Sequence, residues 1–152
     1  MDTHRLSLRM KITAAIVAGF GIACALALIA ALSAPIALLV DALTWPVDGA
    51  TLLQDPEGRL VMAILAGVLV GWGVLIWLLS DTLLHASPDL VRRLVTMSIV
   101  VWFLVDSVAS LLAGAPVNVT SNTAFLVALL APLWVGVAPA VSNAPLPDEG
   151  RR

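Results

Sequence analysis

The sequence predicts an all-α membrane protein, a four-transmembrane-helix antiparallel bundle with N and C termini both cytoplasmic. Three observations carry this. Of 152 residues, 61% are hydrophobic and 12% charged, outside the usual composition of a soluble globular domain. Four apolar runs approach or exceed the ~20 residues that a helix needs to cross a bilayer. Seven of the eight basic residues gather at one set of run ends.

Arg5, Arg9 and Lys11 precede an apolar stretch from Ile12 to Val40, the charge order of a signal peptide. The stretch is about twice as long as a signal-peptide core, and its best small-residue exit, Ala31-Leu32-Ser33-Ala34, abuts Pro35. A lipoprotein signal at Gly21-Ile22-Ala23-Cys24 lacks the apolar residue three before the cysteine. The reading is a retained span, 12–34. Pro35 should end or kink it, because its ring clashes with the carbonyl of Ala31 and biases Ala34 away from helix. Ile36 to Leu43 would then form a short helix lying on the bilayer.

The second span, 60–79, follows Asp55-Pro56, where the aspartate suits an N-cap and the proline the first helical position. Ser87-Pro88-Asp89 repeats that arrangement before the third, 93–113. The fourth, 121–138, contains Pro132, which leaves the carbonyl of Ala128 without its usual partner unless neighbouring groups satisfy it. Residues 1–138 therefore read as one membrane domain and 139–152 as a mobile, proline-bearing cytoplasmic tail.

Arg5, Arg9, Lys11, Arg92, Arg93, Arg151 and Arg152 fall on one side and only Arg59 on the other, with Asp41, Asp48, Asp55 and Glu57. The positive-inside rule places the termini and the Asp81 to Arg92 loop in the cytoplasm. Trp45 and Trp134 fit anchors at opposite faces, where an indole keeps its N–H wet. Scarce lysine and abundant alanine suit a bacterial inner membrane.

Ala15, Gly19, Ala23, Ala27 and Ala31 recur every four residues, and Ala63, Gly67 and Gly71 do the same in the second span. Small-residue ridges let helix backbones approach closely, so these two helices should be neighbours, or one ridge should meet a second subunit. There is no internal repeat.

Asp106 stands near the middle of the third run, with no lysine or arginine in any span to neutralise it except Arg93 at the far edge of its own. An ionisable side chain at bilayer depth is functional or heavily compensated. Trp102 and Ser110, four residues either side, share its helix face. Trp72 falls at the depth of Trp102, and the two indoles should converge on Asp106 or on each other. Three readings follow: a neutral acid hydrogen-bonded inside the bundle, a contact with a cation on another subunit, or a proton or ion relay. Asn118, Thr120, Ser121, Asn122 and Thr123 cluster at the start of the fourth span, with Ser121 or Asn122 suited to capping it and a polar vestibule toward Asp106 the alternative. Asn118-Val119-Thr120 matches a glycosylation sequon in a turn too short to favour modification.

Asp81 and His85 supply two ligand types, too few for a metal site, and Arg92 with Arg93 fits a topology and anionic-lipid anchor. Cys24 is a lone thiol inside an apolar run. A net charge of −2 with no basic stripe points away from nucleic acid. No nucleophile with a base, no ligand set and no cofactor motif appears, which argues against an enzyme. The expectation is a non-catalytic accessory or assembly subunit acting through helix packing, its partners the bilayer and another membrane protein or itself. The alternative is a homo-oligomeric small transporter or proton-linked channel using Asp106 with Trp72, Trp102 and Asn122.

Overall fold

A computed structural model describes residues 3–49 and 52–134. The described residues are all-helical: α1 (Thr3–Leu26), α2 (Ala34–Thr44), α3 (Pro56–Thr82), α4 (Pro88–Leu112) and α5 (Pro116–Trp134), with single 3-10 turns at Ala30–Leu32 and Leu52–Gln54. Four helices, all but α2, are long and apolar enough to cross a membrane. The chain is an all-α bundle of the integral membrane type. Residues 135–152, which hold the end of the expected fourth span and the expected tail, lie outside the described residues.

One end of the bundle carries Arg5, Arg9, Lys11, Arg92 and Arg93; the other carries Asp41, Asp48, Asp55 and Glu57. They are called here the basic end and the acidic end. The first helix begins at Thr3 and stops at Leu26, so the expected span 12–34 is shifted toward the N-terminus. Helix needs backbone pairing, not apolar side chains, so it extends through the charged turns before Ile12. Pro35 does not end α1. It sits in the first turn of α2, where its missing N–H costs nothing, and the break falls at residues 27–33. Beyond the break, the Arg59 guanidinium donates to the carbonyl of Leu28 over 2.8 Å.

At the acidic end the buried carboxylate of Asp41 accepts the backbone N–H groups of Asp48 and Gly49 at 3.2 and 3.0 Å, tying the loop to the end of α2. Gly49 has φ +82°, a conformation that favours glycine. Asp55 and Ser87 occupy the N-cap positions of α3 and α4, followed by proline, but neither side chain makes a capping hydrogen bond. Trp45, 69% exposed, stands at the acidic end. At the basic end Trp134 donates to the Thr96 hydroxyl over 3.0 Å and lies under the Arg92 guanidinium at 4.5 Å.

The helices pack in the order α3, α1, α5, α4, with α2 against α5. Helices α1 and α3 run antiparallel and are the closest pair. A Cβ on Gly73 would lie 2.7 Å from the carbonyl of Ala14 and from the Ala18 side chain; one on Gly21 would lie 2.8 Å from Leu69. The seam therefore runs along Ala14, Ala18 and Gly21 against Ala66, Leu69 and Gly73. The expected neighbours are neighbours, but through a different register. Gly19, Gly67 and Gly71 face open space, and Ala15, Ala31 and Ala63 are exposed. Of the anticipated first ridge, Ala23 is half-buried, while Ala27 is buried beyond the end of α1. Inside a bilayer both core-facing and lipid-facing positions are apolar, so a four-residue repeat of small side chains does not say which face it marks.

Helix α1 meets α5 through Phe20 and Phe125, 5.5 Å apart at ring centroids, and through the buried Thr13 hydroxyl, which donates to the carbonyl of Leu129 over 3.3 Å. That carbonyl lies one residue from the carbonyl of Ala128, which Pro132 deprives of its N–H partner. At the basic end Lys11 pairs with Asp81 at 2.6 Å and lies 5.2 Å from the Trp77 ring. The partner of Asp81 is thus a cation on α1, not His85 across one turn.

Candidate functional site

Polar side chains inside the bundle concentrate where α4 meets α5. The turn between these helices contains Gly114 at φ +75° and sends α5 straight back along α4, which brings residues 118 and 122 opposite 110 and 107. Asn118 Nδ2 donates to Ser110 Oγ over 2.8 Å, and Asn122 Nδ2 approaches Ser107 Oγ at 3.4 Å. Asn122 and Ser107 are buried, as is Ser110. Helix α5 starts at Pro116, so Ser121 and Asn122 lie within it and neither caps it.

Asp106 adjoins this cluster. Ser110 Oγ donates to the backbone carbonyl of Asp106 over 2.7 Å and stands 3.4 Å from its Oδ1. A hydroxyl has one proton to give. With that proton on the backbone carbonyl, the carboxyl group receives at most a minor share of a forked bond. No other side chain among the described residues pairs with it. Asp106 is about 27 Å along α4 from Pro88 and about 9 Å from Leu112, so it sits toward the acidic end and not at mid-helix.

The anticipated site is only partly assembled. Ser110 joins Asp106, and Asn122 reaches the same interface through Ser107. Trp72 and Trp102 converge on each other, centroids 6.0 Å apart and planes tilted 48°, instead of on Asp106. Ser107 and Asn118 complete the cluster. Ser107 was legible as a hydroxyl one turn before Ser110 on an otherwise apolar helix; the role of Asn118 required the α4–α5 turn. Among the described residues, no three His, Cys, Asp or Glu side chains gather as metal ligands.

The Trp pair also marks where α3 and α4 touch, since these helices otherwise meet sparingly. Toward the basic end a cleft of about 240 Å³ separates them, lined by Leu75, Leu79, Leu94 and Ser98. On α4 the inward stripe is closed at Val91 (0% exposed), Val95 (2%) and Ile99 (0%), half-open at Trp102 and Asp106, and exposed at Ala109 and Ala113. On α3, Met62, Ala66 and Leu69 stay buried toward the acidic end, while Leu65 and Val68 beside them are exposed. Asp106 lies half-buried one turn beyond Trp102 on α4.

Compared with protein-family models, with curated proteins and with solved structures, the chain has no significant match. Its class rests on the architecture alone: a small integral membrane protein built as an all-α bundle.

Proposed function

We propose that this protein is a non-catalytic accessory or assembly subunit that packs its helices against another membrane protein in a bacterial inner membrane, with both termini cytoplasmic. The observation that carries this reading is the sparsely packed α3–α4 edge, with the half-buried carboxyl group of Asp106 one turn beyond the Trp72–Trp102 pair. A self-sufficient bundle closes such an edge, because each half-buried polar group in the apolar phase needs a partner. Seven of eight basic residues at the N-terminal, α3–α4 and C-terminal ends support the orientation.

A transporter or channel within one chain draws less support. Between Asp106 and the basic end the inward face of α4 is Trp102, Ile99, Val95 and Val91, which offers a proton or ion no chain of polar groups.

Native mass spectrometry of the tagged protein, gently extracted from its own membranes, tests the proposal. A stoichiometric second membrane protein is the expected result; a homo-oligomer or monomer alone overturns it.

A further inference from the structure

We infer that the exposed edge of α3 and α4 at the acidic end docks a transmembrane helix of a partner that carries one lysine or arginine at the depth of Asp106. The inference rests on the accessory-subunit reading and names the chemistry of the partner.

Shape is the first argument. Helices α3 and α4 meet sparingly, and along this side of α4 exposure rises from the buried Ile99 through the half-buried Trp102 and Asp106 to the exposed Ala109 and Ala113. The Trp72–Trp102 pair, ring centroids 6.0 Å apart, bridges this edge, and the apolar surface on its acidic side is uncovered. There Leu65 and Val68 on α3 are 42% and 61% exposed, and Val105 and Leu112 on α4 are 66% and 85% exposed. Such a surface suits a helix approaching from the bilayer better than a column of water.

Charge is the second. Among the described residues the one side chain in hydrogen-bond reach of the Asp106 carboxyl is Ser110, whose proton goes to the Asp106 backbone carbonyl and whose oxygen holds Asn118. The polar cluster thus fixes the α4–α5 interface without using the carboxyl group. Among the described residues the one basic side chain at this end, Arg59, is bound to the Leu28 carbonyl. Among the described residues the carboxyl therefore has no cationic partner, and a helix bringing one would cover the exposed edge and pair the acid. A charge pair in the apolar phase is strong in proportion to the cost of leaving either member alone.

The test uses a defined probe. The full chain, with Leu65→p-benzoylphenylalanine as a photo-crosslinker, is placed in phosphatidylethanolamine/phosphatidylglycerol vesicles. The probe is a Leu/Ala helix of about 22 residues, carrying one Lys about 9 Å from its acidic-side end, against the same helix with Leu there. Crosslinking to the Lys helix is expected to exceed the Leu helix by at least tenfold, to fall to the Leu level in Asp106→Asn, and to persist in Asp106→Glu. Equal yields with both helices, or a yield unchanged by Asp106→Asn, overturn the inference, as do crosslinks only to a second copy or to lipid. Unfolding of Asp106→Asn at the wild-type point shows that a lost crosslink is not a lost fold. A native partner recovered alongside equal probe yields sinks this docking mode and leaves the accessory reading standing; a lysine-dependent, Asp106-dependent crosslink with no native partner does the reverse.

Discussion

Ser110 gives its single hydroxyl proton to the backbone carbonyl of Asp106 at 2.7 Å, while its oxygen stands 3.4 Å from the carboxyl group of the same residue. The serine thus serves the helix and, through Asn118 at 2.8 Å, the α4–α5 interface, and leaves the acid's side chain nearly unserved. A residue that looks compensated in sequence, with a hydroxyl four positions on, is in the structure only adjacent to compensation.

Removing either end of the Asn118–Ser110 bond should cost similar amounts. Ser110→Ala and Asn118→Ala are each expected to lower unfolding free energy in mild detergent by about 0.6 kcal/mol, with about 1.7 as the ceiling known for such bonds between membrane helices. The double variant should cost little more than Ser110→Ala alone, because that change already removes the Asn118 bond together with the bond to the Asp106 carbonyl. Additive losses would mean that the two side chains act separately.

The two kinds of glycine in the α1–α3 pair should respond in opposite directions. Gly73→Ala puts a Cβ 2.7 Å from backbone and side-chain atoms of α1 and should destabilise by about 1–3 kcal/mol through overpacking. Gly71→Ala enters open space and should be neutral or stabilising, by no more than about 1 kcal/mol of helix propensity. Thermal unfolding of the purified variants distinguishes them, and equal effects would refute the seam.

Thr13 should matter at the α1–α5 contact, one residue from the carbonyl that Pro132 leaves without its donor. Thr13→Val removes the hydroxyl that donates to Leu129 and should cost about 0.5–1.5 kcal/mol. In a Pro132→Ala background, where α5 can complete its own backbone bonds, the same change should cost clearly less. A double-mutant cycle with zero coupling would show that the bond does not serve the proline site.

Lys11 and Asp81 form a short pair, but their side chains are 30% and 45% exposed at the bundle end. Lys11→Met should change stability by less than about 1 kcal/mol, and the difference should shrink as salt rises. A large, salt-independent loss would place the pair in a drier setting.

The number of spans was legible in hydropathy because a bilayer demands a minimum apolar length. Neighbourhood of the first and second spanning helices was legible in their small residues. The face was not: Gly19 and Gly71 lie in the anticipated ridges and touch nothing, whereas Gly21 and Gly73, outside those ridges, set the contact. Hydrophobic contrast, which marks the inner face of a soluble helix, is missing where lipid replaces water. At the site, Asp106 and Ser110 share a face by spacing alone. Asn118 and Ser107 depend on how sharply the chain reverses at Gly114, and the exposed edge depends on how sparingly α3 and α4 meet, which no local pattern encodes.

The exposed α3–α4 edge is the centre of the account, and paired spin labels measure it most directly. With the buried Cys24 replaced by alanine, labels at Leu65 and Val105 report the acidic end of the α3–α4 edge, and labels at Leu79 and Leu94 report the cleft toward the basic end. In the isolated chain in bilayers the first pair should stand farther apart than the second. An equal or shorter distance at Leu65 and Val105 would mean that the edge is closed and that Asp106 already has its neighbours.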